Sequence, residues 1–393
     1  MRVRLRGYVK FFVENSLLLI LGTTIGLLWA NSYFPQYSSV SDQLRFLIND
    51  IGMAFFFGIA AKEVFEAVLP GGPLDSVRKA AMPIMATIGG MILPAVIFIS
   101  GAMAFSRSDL LQGWAIPCAT DIAFSYMVAR FAFGAKHPAI PFLLIIAIAD
   151  DALGLIILAL FYPAGPINLL LFFLLLSAGL GSALVLKRLK VASFWPYISI
   201  SGPLSWLGFY LGGFHPALAL VPIVFVMPHA QSDVGMFEAA KGELTDALNR
   251  FEHWWENPVE VILGLFGLIN AGVLLTGIHS GTWLVLAGLL AGKPLGICLF
   301  CLLGRVLGLR LPARIRWKDI VVIGCAASIG FTVALFVSTV AFGPGENLDA
   351  VKMGSLFSFS GILLTIIVAK VLRVRSSVLE AEVFVVPPPG GRS

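Results

Sequence analysis

Four ionisable side chains interrupt long apolar stretches of this 393-residue chain: Asp121, Asp150, Asp151 and Lys293. A charged side chain at the centre of a lipid bilayer costs at least about 2.5–3.5 kcal/mol, so each of these residues needs a specific reason to be there. Asp150 and Asp151 are neighbours in the chain, and two carboxylates so close in a low dielectric do not both ionise easily. Such a pair is suited to exchanging protons for a cation.

Lys293 adds a positive charge to the same apolar environment. A buried ammonium group needs a counter-charge, and the only acidic residues at comparable depth are the three aspartates. The sequence therefore predicts a lysine–aspartate ion pair, with the choice of aspartate open.

Two apolar stretches contain residues that weaken a helix near these charges. Pro117 lacks a backbone donor and obstructs the carbonyl group one turn earlier, which leaves Thr120 and unpaired carbonyl groups beside Asp121 as oxygen ligands. In the second half of the chain, Gly330 permits an unwound segment after Ser328. Two interrupted helices in different halves of a chain are typical of transporters built from inverted repeats.

The composition indicates which elements position these residues. Apolar residues make up 58% of the chain and charged residues 12%, whereas a soluble domain has about 25% charged residues. We therefore predict an all-α polytopic membrane protein with about twelve transmembrane helices, two of them interrupted and crossing. The predicted spans are residues 11–31, 49–68, 80–105, 112–129, 138–162, 167–186, 191–202, 204–226, 258–278, 282–304, 318–342 and 351–372.

These spans form one predicted transmembrane domain at 1–375, with spans three to five and ten to twelve as inverted repeats. A cytoplasmic amphipathic connector is predicted at 227–257, and the tail at 376–393, rich in proline and glycine, is predicted to be disordered. Most of the 27 lysines and arginines lie in segments on the same side as the N-terminus. This asymmetry places both termini in the cytoplasm.

Lys62 and Glu66 lie near the cytoplasmic end of the second predicted span. They are candidates for a charged funnel that collects cations. A helix end whose long side chains extend to the membrane interface explains them equally well. The sequence leaves both interpretations open.

Six stretches of the chain resemble the NhaA-type sodium/proton antiporter family. They are GWAIPCATDIAF at 113–124, AIADDALGLIILALFY at 147–162, FEH at 251–253, NAGV at 270–273, AGLLAGKPLGI at 287–297 and IGFT at 329–332. The resemblance runs through about residues 11–375. It implies a twelve-helix exchanger of the inner membrane, often a homodimer, that exchanges sodium or lithium for protons electrogenically under the control of cytoplasmic pH.

The resemblance also implies roles for the buried charges. Asp151 matches the carboxylate that binds the cation and the proton, and Asp150 matches the one that pairs with Lys293. Because sodium prefers hard oxygen ligands, we expect a sodium site formed by Asp151, Asp150 and Thr120. Alternating access to this site would couple the two fluxes through competition for the same carboxylates, and no cofactor is expected.

Other positions match the crossing point and the regulatory region of the family. Thr120 and Asp121 match the crossing element of the family's fourth helix, and Ser328 to Phe331, which include Gly330, match its counterpart in the eleventh. Glu252 and His253 fall where the family places part of its pH sensor. The connector at 32–50 is too short for the strand hairpin that joins protomers in well-known members, which leaves the mode of dimerisation open.

Two other functions also use membrane aspartates. A sodium-coupled symporter of an organic anion would need a larger polar cavity, and no arginine inside a span is available to meet a carboxylate. An intramembrane aspartyl protease needs two aspartates on separate helices, such as Asp121 and Asp150, but the G-x-G-D context of that family is missing. We therefore expect an antiporter rather than an enzyme.

Overall fold

The computed structural model describes residues 17–229, 246–312 and 314–374, apart from the side chains at 77 and 78. The chain is helical over these ranges, and they contain no β-strand. Most of the predicted connector, at 230–245, and the predicted disordered tail at 376–393 lie outside the described residues. The all-α prediction is confirmed for the described part of the chain.

The first half of the chain carries seven of the described α-helices. They are α1 (Leu17–Ser32), α2 (Phe34–Arg45), α3 (Met53–Val68), α4 (Val77–Ala104), α5 (Ile122–Phe133), α6 (Ala139–Phe161) and α7 (Leu169–Arg188). A π-helical turn at Phe46–Gly52 joins α2 to α3. Two 3-10 turns, Ser108–Gly113 and Ile116–Cys118, precede α5.

The second half of the chain carries the other nine described α-helices. They are α8 (Gly202–Gly212), α9 (Leu220–Val226), α10 (Ala247–Asn270), α11 (Ser280–Ala287), α12 (Lys293–Val306), α13 (Trp317–Ala327), α14 (Phe331–Ala341), α15 (Glu346–Phe357) and α16 (Ser360–Val371). A π-helical turn at Tyr197–Ser201 leads into α8, and another at Gly288–Gly292 joins α11 to α12.

Six continuous helical segments are long and apolar enough to cross a bilayer, and the bent pair of α13 and α14 makes a seventh. The two halves of that pair are inclined by 48°. These counts refer only to the described ranges. The prediction of a membrane protein with several spans is confirmed, while twelve spans and two inverted repeats stay predictions.

Two predicted spans have different boundaries in the structure. The runs at 191–202 and 204–226 are divided at Gly213, so that one helical segment covers Tyr197–Ser201 and α8, and a second begins after His215. Gly213 has a φ of +82°, a left-handed conformation that glycine adopts without steric cost and that commonly ends a helix. The hydrophobic pattern alone did not reveal this helix end.

The ninth predicted span is also longer than its apolar run. Helix α10 begins after Asp246, whose carboxylate accepts a hydrogen bond of 2.7 Å from the Asn249 N–H group, and it continues through Pro258. Residues 247–256, which the sequence analysis assigned to the connector, are therefore the first part of this helix. Their acidic side chains are fixed relative to the bundle.

The link between α1 and α3 is helical. Tyr37 in α2 anchors it, since its hydroxyl group donates a hydrogen bond of 2.7 Å to the Ile269 carbonyl and accepts one of 3.0 Å from the Gly272 N–H group. This link contains no strand hairpin, in agreement with the sequence analysis. The two hydrogen bonds of Tyr37 instead connect α2 to the end of α10.

Helices α4 and α12 pack in backbone contact. A Cβ atom added to Gly296 would lie 2.0 Å from the Gly89 carbonyl oxygen, and one added to Gly89 would lie 2.3 Å from that of Gly296. Small residues allow this close approach of helices in membranes. The contact places the first turn of α12, with Lys293, inside the bundle at an exposed fraction of 1%.

We predict that Gly296→Ala lowers stability by about 1–3 kcal/mol, because overpacking forces two backbones apart. Thermal unfolding in detergent measures the effect. Gly181→Ala in α7 is the matched control, since nothing lies within 4 Å of its added Cβ. An unchanged melting temperature for Gly296→Ala would contradict the backbone contact.

Candidate functional site

The two interrupted helices meet at their breaks. The Asp121 N–H group donates a hydrogen bond of 2.7 Å to the Ile329 carbonyl. The Thr120 hydroxyl donates one of 3.2 Å to the carbonyl of Ala327, the last residue of α13. Each break therefore satisfies backbone groups of the other, which is needed where water is absent.

Three positions singled out in the sequence shape this contact. Pro117 lies in the 3-10 turn before the break, and a Cβ on Gly330 would lie 2.6 Å from the Ala119 carbonyl oxygen. The Ser328 hydroxyl donates a hydrogen bond of 2.6 Å to the Cys325 carbonyl. Glycine is thus required at 330 for close approach, and Ser328 adds a side-chain hydrogen bond to a carbonyl group at the end of α13 that its own N–H group also reaches.

Asp121 caps two helices at once. It is the N-cap of α5, where it accepts a hydrogen bond of 3.4 Å from the Phe124 N–H group. It also accepts hydrogen bonds from the N–H group of Thr332, at 3.1 Å, and from the Thr332 hydroxyl, in the first turn of α14. Both helix N-termini carry partial positive charge, so a carboxylate between them is stabilised.

The predicted lysine–aspartate pair joins Lys293 to Asp150. The Lys293 Nζ atom lies 2.9 Å from Asp150 Oδ2, and the two residues are 1% and 3% exposed. Lys293 also donates a hydrogen bond to the Cys118 carbonyl oxygen. The second carboxylate oxygen of Asp150 is buried and has no hydrogen-bond partner among the described residues.

Asp151 is half-buried and lines two cavities of opposite character. The acidic cavity, of about 270 Å³, contains six carboxylates and no basic residue in its lining: Glu63, Asp121, Asp151, Glu252, Glu256 and Glu260. The apolar cavity, of about 40 Å³, also reaches Asp150 but is otherwise lined largely by aliphatic and aromatic side chains. Asp151 thus lies where a wide charged space meets a narrow apolar one.

Lys62 is not a helix end extending to the interface. It is 4% exposed, and its Nζ atom lies 2.6 Å from Glu252 Oε2 and 2.7 Å from Glu66 Oε2. This cluster joins α3 to α10 beside the acidic cavity, while His253 is exposed and does not line that cavity. A further lysine, Lys352, is also 4% exposed, so Lys293 is not the only buried lysine.

Some site residues were missed in the sequence analysis. Thr332 entered the sequence analysis only as the last residue of the IGFT stretch, although it provides two of the hydrogen bonds to Asp121. Glu256 and Glu260 line the acidic cavity together with Glu252. Glu252, Glu256 and Glu260 are spaced by four residues, which places their side chains on one helical face. This spacing could have indicated from the sequence that they line one site.

Comparisons with known proteins identify relatives that match nearly the whole chain. A family model described as Na+/H+ antiporter 1 matches residues 9–372. A protein named Na(+)/H(+) antiporter NhaA from Jannaschia sp. (strain CCS1) is 47% identical over 93% of this chain and 98% of the relative. Proteins of the same name from Geobacter sulfurreducens and Desulfitobacterium hafniense are 41% and 44% identical over 94% and 93% of this chain, covering 99% and 96% of the relatives.

A solved structure is similar in fold. It is that of the sodium proton antiporter MjNhaP1 from Methanocaldococcus jannaschii at pH 8, with a TM-score of 0.52 and 15% sequence identity. The match covers 95% of this chain and 98% of the other. At this identity the likeness concerns the arrangement of helices only.

The Lys293–Asp150 pair yields a stability prediction. Lys293→Ala leaves Asp150 buried without a counter-charge, which costs about 3–5 kcal/mol. The double variant Asp150→Asn with Lys293→Gln removes both charges and should recover part of this loss. Thermal unfolding of Asp150→Asn, Lys293→Gln and the double variant in detergent gives the coupling free energy.

The control for this cycle is the exposed pair of Lys79 and Asp75, whose ammonium and carboxylate atoms are 3.2 Å apart. Breaking it should cost at most about 1 kcal/mol. Strictly additive losses at Asp150 and Lys293 would mean that the two residues are not partners.

Proposed function

This chain belongs to the Na+/H+ antiporter 1 (NhaA) family, and we propose that it works by alternating access to Asp151, which binds a sodium ion and a proton in turn. Family membership makes the protein a sodium/proton exchanger of the bacterial inner membrane and a transporter rather than an enzyme. A symporter of organic anions and a protease are not favoured. The mechanism below is inferred from the site.

The observation that carries the proposal is the position of Asp151 between the two cavities. A carboxylate there can be reached by a hydrated cation through the acidic cavity, where negative charge concentrates cations. Passage beyond it is blocked by the narrow apolar cavity. In this mechanism the acidic cavity is the open side, and transport requires the other side to open.

The neighbouring oxygen atoms suit a sodium ion that has lost most of its water. The Thr120 hydroxyl gives its hydrogen to Ala327, so its lone pairs are available to a cation. The unpartnered buried oxygen of Asp150 is a second candidate ligand beside Asp151. Carboxylate and hydroxyl oxygens are the ligands that a hard cation prefers, and we extend the proposal to lithium on the same ground.

Asp150 and Asp121 have supporting roles in this mechanism. Lys293 holds Asp150 in an ion pair while Asp151 lacks a basic partner among the described residues. Asp121 balances the two helix N-termini, because its oxygens are already occupied by α5 and α14. The exchanged proton is therefore carried by Asp151 and, when Lys293 releases it, by Asp150.

The remaining features are part of the same proposal. The acidic cavity opens to the cytoplasm, both termini are cytoplasmic, and twelve spans include two crossing interrupted helices. We assign the adjustment of activity to cytoplasmic pH to the cluster of Lys62, Glu66 and Glu252, with nearby His253. Exchange is electrogenic, and a homodimer would form without a strand hairpin in the 32–50 link.

Asp151→Asn should abolish exchange without unfolding the protein, since an amide keeps the volume but neither binds a proton nor neutralises a cation. The assay is a sodium jump on proteoliposomes that contain a pH-sensitive dye. Asp75→Asn, at an exposed position outside the site, is the matched control. Residual sodium-dependent dye response above about a tenth of the parent value, or about 1.4 kcal/mol in rate terms, would remove Asp151 from its central role.

An imposed membrane potential should drive sodium efflux, because unequal numbers of sodium ions and protons carry net charge in each cycle. The potential is set with potassium and valinomycin in proteoliposomes, and the control omits valinomycin. Efflux that does not respond to the potential would indicate one proton per sodium ion and would refute electrogenic exchange.

A further inference from the structure

The apolar cavity follows one face of α6 away from the ion site. Asp151, Leu155, Leu158 and Tyr162 all line it. Their spacing of four, three and four residues places them in one row along a helix. The residues that line it on this face therefore span about three helical turns from Asp151 to Tyr162, and only Asp151 of this row also lines the acidic cavity.

Tyr162 closes the far end of this row. It is 6% exposed and lies directly after α6. Its hydroxyl group donates a hydrogen bond of 2.8 Å to the Gln112 carbonyl and accepts one of 3.4 Å from the Ala115 N–H group. The ring is thus tied to the segment that leads through Pro117 to the first break.

The opposite wall of the cavity consists of aromatic rings from other helices. Phe57 of α3 and Phe336 of α14 meet edge to face, with ring centroids 5.0 Å apart. At about 40 Å³ the enclosed space holds one or two water molecules. A sodium ion with its hydration shell cannot pass, so this side of the site is closed.

We infer that the row on α6 is the second ion pathway in its closed form, and that Tyr162 is the residue that positions its outer gate. The inference rests on the proposed function, since it names the route by which ions reach Asp151 in the other access state. The ring of Tyr162 fills the exit, and its two hydrogen bonds hold the ring in place. Opening requires the hydroxyl group to leave Gln112 and Ala115.

Cys118 provides a reporter for this gate. It lines the apolar cavity and is 2% exposed. The other three cysteines, Cys298, Cys301 and Cys325, do not line that cavity and can be replaced by alanine. A membrane-impermeant methanethiosulfonate reagent then measures access to Cys118 from each side of oriented vesicles.

In this background the parent chain should react slowly when the reagent is added on the side opposite to the acidic cavity. Tyr162→Ala removes the ring, and Tyr162→Phe removes only the two hydrogen bonds. We expect about tenfold faster labelling from that side for Tyr162→Ala and a smaller increase for Tyr162→Phe, since each lost hydrogen bond is worth a fewfold change in the opening equilibrium. Labelling from the other side should not change.

Tyr210→Ala and Tyr210→Phe are the matched controls, because Tyr210 is 52% exposed and does not line the apolar cavity. Unchanged labelling of Cys118 in folded Tyr162→Phe and Tyr162→Ala overturns the proposal that Tyr162 positions a gate. An equal increase in labelling from both sides also overturns it, because that result indicates a general loosening of the bundle. If the alanine variant does not fold, Tyr162→Phe alone decides the test, because it keeps the ring. The labelling needs no transport, so a parent chain that fails to exchange sodium refutes the proposed function without deciding the gate.

Discussion

A charge inside a lipid-embedded bundle must be paired, and this requirement organises the region around Lys293. Its ammonium group reaches Asp150 and the Cys118 carbonyl only because α12 packs in backbone contact with α4. A larger side chain at Gly89 or Gly296 would move the lysine away from its partner. The ion pair in turn leaves Asp151, the proposed ion-binding carboxylate, without a basic partner among the described residues. Packing, pairing and exchange chemistry therefore depend on one contact.

The breaks in the two interrupted helices follow from a similar constraint on the backbone. An unwound segment exposes N–H and carbonyl groups that hydrocarbon cannot satisfy. Here each break provides partners for the other, through Thr120 to Ala327 and Asp121 to Ile329. The carboxylate of Asp121 then caps both α5 and α14. Thr120 consequently lines the acidic cavity together with Asp151 without loss of backbone hydrogen bonding.

Much of the site could be predicted from the sequence because a charge or a proline in an apolar run is visible without any structure. Asp121, Asp150, Asp151, Lys293 and Pro117 were found in this way. The partner of Lys293 could not be chosen by composition, since adjacent helical residues differ by only about 100° in direction and the choice depends on tertiary packing. Family resemblance indicated Asp150, and in the structure the Lys293 Nζ atom lies 2.9 Å from Asp150 Oδ2.

Several features depended on contacts between distant segments and could not be read from local pattern. The burial of Lys62 is one example, because Glu252 lies on another helix and only the fold brings it within 2.6 Å. The continuity of α10 through Pro258 is another, since packing against α1 outweighs the local preference of proline to end a helix. Gly22 of α1 meets the Gly264 backbone so closely that a Cβ would lie 1.9 Å from its carbonyl oxygen.

The difference between the two cavities explains how one carboxylate can couple two fluxes. The acidic cavity holds cations near Asp151 through charge, even though Lys62 neutralises part of the charge on Glu66 and Glu252. The apolar cavity offers no such stabilisation, so in the proposed mechanism an ion at Asp151 does not cross to the far side until that side opens. In that mechanism sodium and the proton compete for the same oxygen atoms, and neither leaves through the apolar cavity while the proposed gate is closed. The proposed coupling therefore needs no second cation site, only competition for the Asp151 and Asp150 carboxylates and a barrier that separates the two cavities.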